Sequence, residues 1–295
     1  KGDWTDHLAG DKWSFRIDLK SAYSVYGMSE FSVQDPATRF GLREPVLYEF
    51  YQAEGGVAVR YDFADVWVNG IYKGVYAMEE FFTSDMVKEK KKRDGPIIKA
   101  NEDVLWQSRV YDFSNLIFDG NIETFKYSSA IKDDTRLNLT EYAINLLQAY
   151  KNNELSIDQV FDIDLLAKYH AIEDIFIAEH GSRVWHNIRY YLNPLTLKLE
   201  PVPFDELSNE YGNIEMSFGF PELDSDPKYF SLYIKYLREY ADKIPSYILE
   251  NKASIDEMTM MLQRDNSYIG GLDFIDYRID FIMKFLDENG LGIGS

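Results

Sequence analysis

Apolar and polar residues alternate over Lys12–Leu19, where Trp13, Phe15, Ile17 and Leu19 interleave with Lys12, Ser14, Arg16 and Asp18. A period of two predicts a strand with one core face and one polar face. Residues 32–38 (SVQDPAT) read as a turn, in which Asp35 or Thr38 caps the following helix. Over Arg39–Glu54 the period becomes helical: Phe40, Leu42, Val46, Leu47, Phe50 and Tyr51 form a broad apolar stripe, and Gly55-Gly56 ends it. Val57–Met78 predicts a hairpin, because Asn69-Gly70 separates two β-rich runs. The basic run Lys88–Arg93 reads as a solvated loop or helix end, and Pro96–Lys99 as a short strand.

Residues 101–153 carry little pattern beyond a helix over Leu139–Lys151, with Asn138 or Thr140 as its cap. Phe161–Ala178 predicts a stronger helix, capped by Asp162 or Asp164 and apolar at Leu165, Leu166, Tyr169, Ile172, Ile175, Phe176 and Ile177. It delivers the chain into Ala178–Asn209. That stretch reads as a polar loop (His180–Asn187), a strand (Ile188–Leu192), an Asn193-Pro194 turn, a strand (Leu197–Val202) and then Phe204-Asp205-Glu206. A loop with Gly212, Gly219 and Pro221 leads to helices near Pro227–Glu250, Ser254–Arg264 and Leu272–Asn289. No internal repeat is visible. The layout is a β-rich first hundred residues followed by an α-rich remainder.

Composition narrows the class. The chain has 295 residues with 22 Tyr and 19 Phe, far too many aromatics for a disordered polymer. A net charge of −19 excludes a general nucleic-acid binder and docking on anionic lipid, so a bound anion needs a local positive site. With no cysteine, disulfides, thiol catalysis and Cys-ligated zinc are excluded. No apolar run is long enough for a transmembrane helix, and no signal peptide is visible. The chain opens inside a strand-forming segment, Lys1–Trp4, so further sequence upstream is expected.

Candidate chemistry concentrates in the hairpin. Asn187, Asp205 and Glu206 bring two carboxylates and an amide together, an oxygen donor set suited to a divalent cation and its phosphates. An Asp after a strand is also a common turn former or helix cap. Lys12 and Arg16 point the same way, as an anion grip or as a solvated strand face. His170, His180 and His186 invite a zinc reading, against which His170 sits inside a helix and the other two in a loop. A glycosidase reading takes Asp205 with Glu206 or Glu179 as its carboxylate pair, but adjacent strand residues point to opposite faces.

Several segments together resemble the CotH family, bacterial spore-coat-protein-H-like proteins with an atypical protein-kinase-like fold. They are Lys1-Gly2-Asp3-Trp4, Gly10-Asp11-Lys12-Trp13-Ser14-Phe15-Arg16, Arg60-Tyr61-Asp62-Phe63, Val68-Asn69-Gly70, Lys73-Gly74-Val75-Tyr76 with Glu80, His186-Asn187 and Pro203-Phe204-Asp205. The resemblance implies an α+β, two-lobed kinase-like fold: a β-rich N-lobe over 1–82, and an α-rich C-lobe over 83–295 with the catalytic loop and metal hairpin at 180–206. It implies ATP with Mg2+ or Mn2+ as cofactors and transfer of the γ-phosphate to a protein Ser/Thr or another hydroxyl. Lys12, helped by Arg16, takes the place of the phosphate-binding lysine. Glu44 or Glu49, with Glu44 preferred, takes the place of its helix glutamate. Tyr76–Phe82, with Glu79-Glu80, becomes the segment that receives adenine, and Asn187 and Asp205 become the metal ligands. The departure is Ser182, which stands where the family's base Asp is expected; Glu179, His180 and His186 are the candidate replacements. The alternative is a catalytically inactive binding module at a bacterial surface or spore coat. Either way the resemblance implies a protein substrate or partner and a bacterial exterior or spore location.

Overall fold

Asn69 and Gly70 both adopt positive φ, 52° and 78°, the two-residue turn whose twist matches right-handed strands. The chain therefore folds back on itself, and β3 (Tyr61–Val68) pairs antiparallel with β4 (Ile71–Glu80). This is a computed structural model, and it describes residues 10–20, 23–101, 121–126, 131–178, 180–182, 184, 187–207, 226–265 and 269–291. Most of the opening loop, the loop containing Gly212, Gly219 and Pro221, and the residues Glu179, Trp185 and His186 lie outside the described residues.

The other edge of β4 pairs with β2 (Glu30–Gln34), which in turn pairs with β1 (Phe15–Asp18), giving the antiparallel order β1-β2-β4-β3. The run read as a turn is thus half strand. Phe31 and Val33 join a small cluster with Met28, Tyr76 and Met78, while Ser32 and Gln34 take the opposite face. Asp35 then caps a 3-10 turn, Pro36–Arg39, its carboxylate accepting from Ala37 N at 3.0 Å. Phe40 in the left-handed region delays the helix, so α1 spans Arg43–Ala53 instead of starting at Arg39. β1 lies at the sheet edge, and the face expected to be core leaves Trp13 53% and Phe15 37% exposed.

After α2 (Ser84–Glu89), β5 (Ile97–Ala100) and β6 (Ile122–Thr124) build a second antiparallel sheet with the later hairpin, β7 (Arg189–Asn193) and β8 (Lys198–Pro201), in the order β6-β5-β7-β8. α3 (Asp134–Lys151) begins a turn earlier than its apolar pattern, at the Asp133 cap, whose carboxylate accepts from Arg136 N at 2.9 Å. α4 (Ile157–Val160) is a single turn. α5 (Ile163–Phe176) is capped by Asp162 and stopped by Ile177 in the left-handed region. The chain closes with α6 (Pro227–Glu250), α7 (Lys252–Arg264) and α8 (Phe274–Glu288). None of the described helices is long and apolar enough to cross a membrane.

The result is an α+β fold in which one continuous hydrophobic cluster runs from α1 and the inner face of β3 and β4, through β5 and β7, to α5, α6 and α8. Buried tyrosines carry a polar end that usually finds a partner. Tyr51 donates to the Pro201 carbonyl at 3.0 Å, Tyr240 to Glu54 at 3.0 Å, and Tyr229 meets His170 Nδ1 at 2.7 Å. The end of α7 reaches back to the first sheet: Arg264 pairs with Asp65 at 2.6 Å, and Asp265 accepts from Lys12 Nζ at 2.6 Å and from Val75 N at 2.9 Å.

Gly70→Ala isolates the backbone contribution to the β3–β4 turn, because no atom lies within 4 Å of the added Cβ. We expect a loss of about 1 kcal/mol from left-handed strain alone, read as a lower urea midpoint with an unchanged slope.

Candidate active site

The C-terminal end of α5 and the turn after β8 meet at His180. Its backbone N donates to the Glu206 carbonyl at 3.0 Å, and its Nδ1 lies 3.0 Å from the Asp205 carbonyl oxygen. Asn187, buried at the start of β7, donates through Nδ2 to the His180 carbonyl at 2.8 Å and lies 3.4 Å from the Asp205 carbonyl. The β7–β8 hairpin thereby returns Asp205 to the residue that precedes the hairpin. Asp205 itself holds φ at 54°, a left-handed conformation that aspartate tolerates better than most residues and that collects at functional sites. Its carboxylate is ion-paired with the Arg39 guanidinium and lies 3.5 Å from His180 Nδ1.

Behind Asp205 stands a set of fully buried carboxylates. Glu44, on α1, accepts from Glu206 N at 2.8 Å and from the Tyr48 hydroxyl at 3.1 Å, with Arg39 Nε 3.8 Å from its other oxygen. Glu206 accepts from the Tyr169 hydroxyl at 2.6 Å and from Phe204 N at 2.8 Å. Glu173, in the last turn of α5, receives both the backbone N (2.8 Å) and the hydroxyl (2.6 Å) of Ser182. Gly181 threads between two of them: a Cβ there would stand 2.0 Å from a Glu206 oxygen and 2.7 Å from a Glu173 oxygen. Burial pushes Glu44 up to about 7, with Arg39 opposing the rise. Burial, then the neighbouring Glu173 charge, raises Glu206 well above the usual carboxylate range. For Arg39, burial favours the neutral form, but the Glu44 and Glu79 carboxylates outweigh it and hold the guanidinium charged.

The other residues singled out from sequence are dispersed. Of the two helix glutamates, Glu44 reaches the Asp205-Glu206 turn, while Glu49 lies beside Tyr48, Arg60 and Asp62 in a cavity of about 210 Å³. Lys12 is held by Asp265 and the Val75 carbonyl (3.1 Å), and the cation beside Glu44 is Arg39. Arg16 pairs with Glu30 and stacks 3.5 Å above the Phe81 ring. Glu80 takes Arg60 through its guanidinium and its backbone N (3.1 Å). His170 is buried in α5 against Tyr229, away from the His180 loop. Glu179 and His186 lie outside the described residues.

Arg39, Glu173 and Arg189 were not legible as site residues. Arg189, on β7, lies 4.4 Å over the Phe204 ring, and Arg39 lies 5.5 Å from the same ring. A signal for Glu173 existed in the sequence, since Glu173-Asp174 interrupts the apolar run that ends α5.

Among the described residues no group of three or more His, Cys, Asp or Glu is arranged to hold a metal. Asp205 and Asn187 carry oxygens of the hard kind that magnesium takes in small number, completing its shell with waters and phosphates, and the Asp205 carboxylate is ion-paired with Arg39. A family model described as CotH kinase protein matches residues 1–253. The chain belongs to this family. No curated protein matches it. In this CotH chain, His180, Ser182 and Asn187 stand at the spacing of His, Asp and Asn in the motif H-R-D-x-x-x-x-N, with serine where that motif has aspartate.

Glu44 gives this CotH protein an inverted response to mild acid. A folded-state value above the ordinary 4.5 means that the native state holds the proton more tightly. Its contribution is complete below about 4.5 and is lost as pH rises through about 7. We expect unfolding free energy to fall by up to about 3 kcal/mol between about pH 5 and about pH 7.5. In Glu44→Gln, which keeps the acceptor oxygen, urea titrations at the two pH values should show a clearly smaller drop.

Proposed function

We propose that this CotH protein transfers the γ-phosphate of ATP to a hydroxyl, a protein Ser/Thr or another alcohol, with magnesium or manganese held by Asn187 and Asp205. The supporting observation is the convergence of those two side chains on His180 from opposite ends of one hairpin. ATP and its metal supply the electrophilic phosphorus and neutralise charge on the leaving diphosphate. The chain's own work is positioning. Asp205 and Asn187 offer hard oxygen donors. Arg39, buried against Asp205 and Glu44, is the better candidate than Lys12 for the cation that faces phosphate oxygens, because Lys12 is committed to Asp265. Arg16 and the Tyr76–Phe82 segment stand where the nucleotide's other end is received in this reading, in which residues 1–82 and 83–295 act as the two lobes. Glu44 fixes α1 to the backbone of Glu206, so the helix and the metal-bearing turn move together.

A second reading, an inactive binding module that holds a protein partner at a bacterial surface or spore coat, draws on Ser182. A serine hydroxyl alone does not accept a proton at neutral pH as a carboxylate does.

Thermal unfolding with and without Mg-ATP tests nucleotide binding. At about 100 times Kd the wild type gains about 3 kcal/mol, several degrees in Tm. Asp205→Ala should lose the magnesium-dependent part of that gain, and Lys12→Ala should keep it. A wild type with no shift overturns nucleotide binding; a shift without transfer of label from γ-labelled ATP favours the binding module.

A further inference from the structure

Ser182 occupies the base position, but its surroundings are not those of an isolated hydroxyl. Its Oγ donates to Glu173 Oε2 at 2.6 Å and its backbone N to Oε1 at 2.8 Å, so the carboxylate grips the serine with both oxygens. Glu173 is completely buried, whereas Ser182 is partly exposed. A buried carboxylate cannot meet an acceptor directly; the serine, with one face toward solvent and its proton already aimed inward, can. Gly181 lets the loop pass so close to Glu173 and Glu206 that two carboxylates share one dry space.

We propose that Ser182 and Glu173 form a two-residue proton relay that replaces the single carboxylate base. This rests on the kinase reading above. As the acceptor oxygen bonds to the γ-phosphorus of ATP, its O–H bond breaks and the proton passes to Ser182 Oγ. Ser182 gives its original proton to Glu173 Oε2. The bond between the γ-phosphorus and the bridging oxygen breaks, and its electron pair leaves with ADP. After the product departs, Ser182 releases a proton to solvent water and takes the one held by Glu173, which restores the starting hydroxyl and carboxylate. Ser182 is the catalytic residue of the relay, and Glu173 is the positioning residue that acts through it.

The experiment follows phosphate release from Mg-ATP, with water as acceptor, and label transfer to the chain itself. Glu173→Gln and Ser182→Ala should each lower kcat about 100-fold, within the usual range for a general base, with KM for Mg-ATP unchanged. The swap Glu173→Gln with Ser182→Asp moves the carboxylate from helix to loop and should restore most of kcat, which a merely structural pair does not do. In the nucleotide-free protein, proton NMR should show a Ser182 hydroxyl protected from solvent exchange and lost in Glu173→Gln. Unchanged kcat in Glu173→Gln, or a folded swap variant as slow as that single variant, overturns the relay. So does a stable phosphoserine at Ser182 by intact mass, which makes the serine an acceptor. Transfer by the wild type that persists unchanged in Glu173→Gln overturns the relay alone; wild type that binds Mg-ATP without transfer, or shows no Mg-ATP shift, overturns the kinase reading as well.

Discussion

A carboxylate removed from water must be bonded, paired or protonated, and this constraint shapes the centre of the molecule. Glu44 comes from α1, Glu173 from α5 and Glu206 from the turn after β8, three segments far apart in sequence that meet at one spot. Each carboxylate takes what the backbone and hydroxyls offer: Glu206 N and Tyr48 for Glu44, Tyr169 and Phe204 N for Glu206, Ser182 for Glu173, while Glu44 Oε2 and Glu206 Oε2 accept no hydrogen bond from the described residues. Replacing one partner leaves an uncompensated buried group, at a cost far above that of an exposed ion pair. The geometry of the loop and hairpin follows from that demand. His180 is pinned by Glu206 and Asp205, and the glycine after it is the one residue without a side chain to collide with the acids behind it.

Arg39 is the electrostatic hinge of this arrangement. Its guanidinium is ion-paired with Asp205 and lies within reach of Glu44, so one cation serves two carboxylates from different elements. Arg39 and Arg189 both face the Phe204 ring, which places two positive groups beside the Asp205-Glu206 turn of a chain whose net charge is −19. The two guanidiniums are thereby set against the carboxylates of Asp205, Glu44 and Glu79 and partly offset their charge.

Strong periodicity made much of the fold legible. Asn69-Gly70 fixes the first hairpin, Asn193-Pro194 marks the second, and α6, α7 and α8 begin and end close to where their apolar stripes do. The meeting of Asn187 with Asp205 was legible from the hairpin pattern itself, whereas the preference for Glu44 over Glu49 came through family resemblance. β2 was hidden because one of its faces is polar, Ser32 and Gln34, and because Asp35-Pro36 follows at once, so a strand ending read as a turn. The partners of Lys12 and Ser182 were hidden for a different reason. Asp265 is 253 residues from Lys12, and Glu173 sits in a helix whose pattern reports only that it is buried. Local sequence reports the face a residue takes, and tertiary packing chooses the atom it meets.

The ties from the end of α7 to the first sheet have a consequence for assembly. Lys12–Asp265 and Arg264–Asp65 close loops of 253 and 199 residues. Closing a loop of that length costs about 3 kcal/mol more chain entropy than closing one of about ten residues. These contacts can therefore form only after the sheets and helices between them are in place. A nascent chain emits its β3–β4 hairpin long before α7 is synthesised, so until then Asp65 has its bond from Tyr72, and Lys12 its bond to the Val75 carbonyl, without the α7 partners.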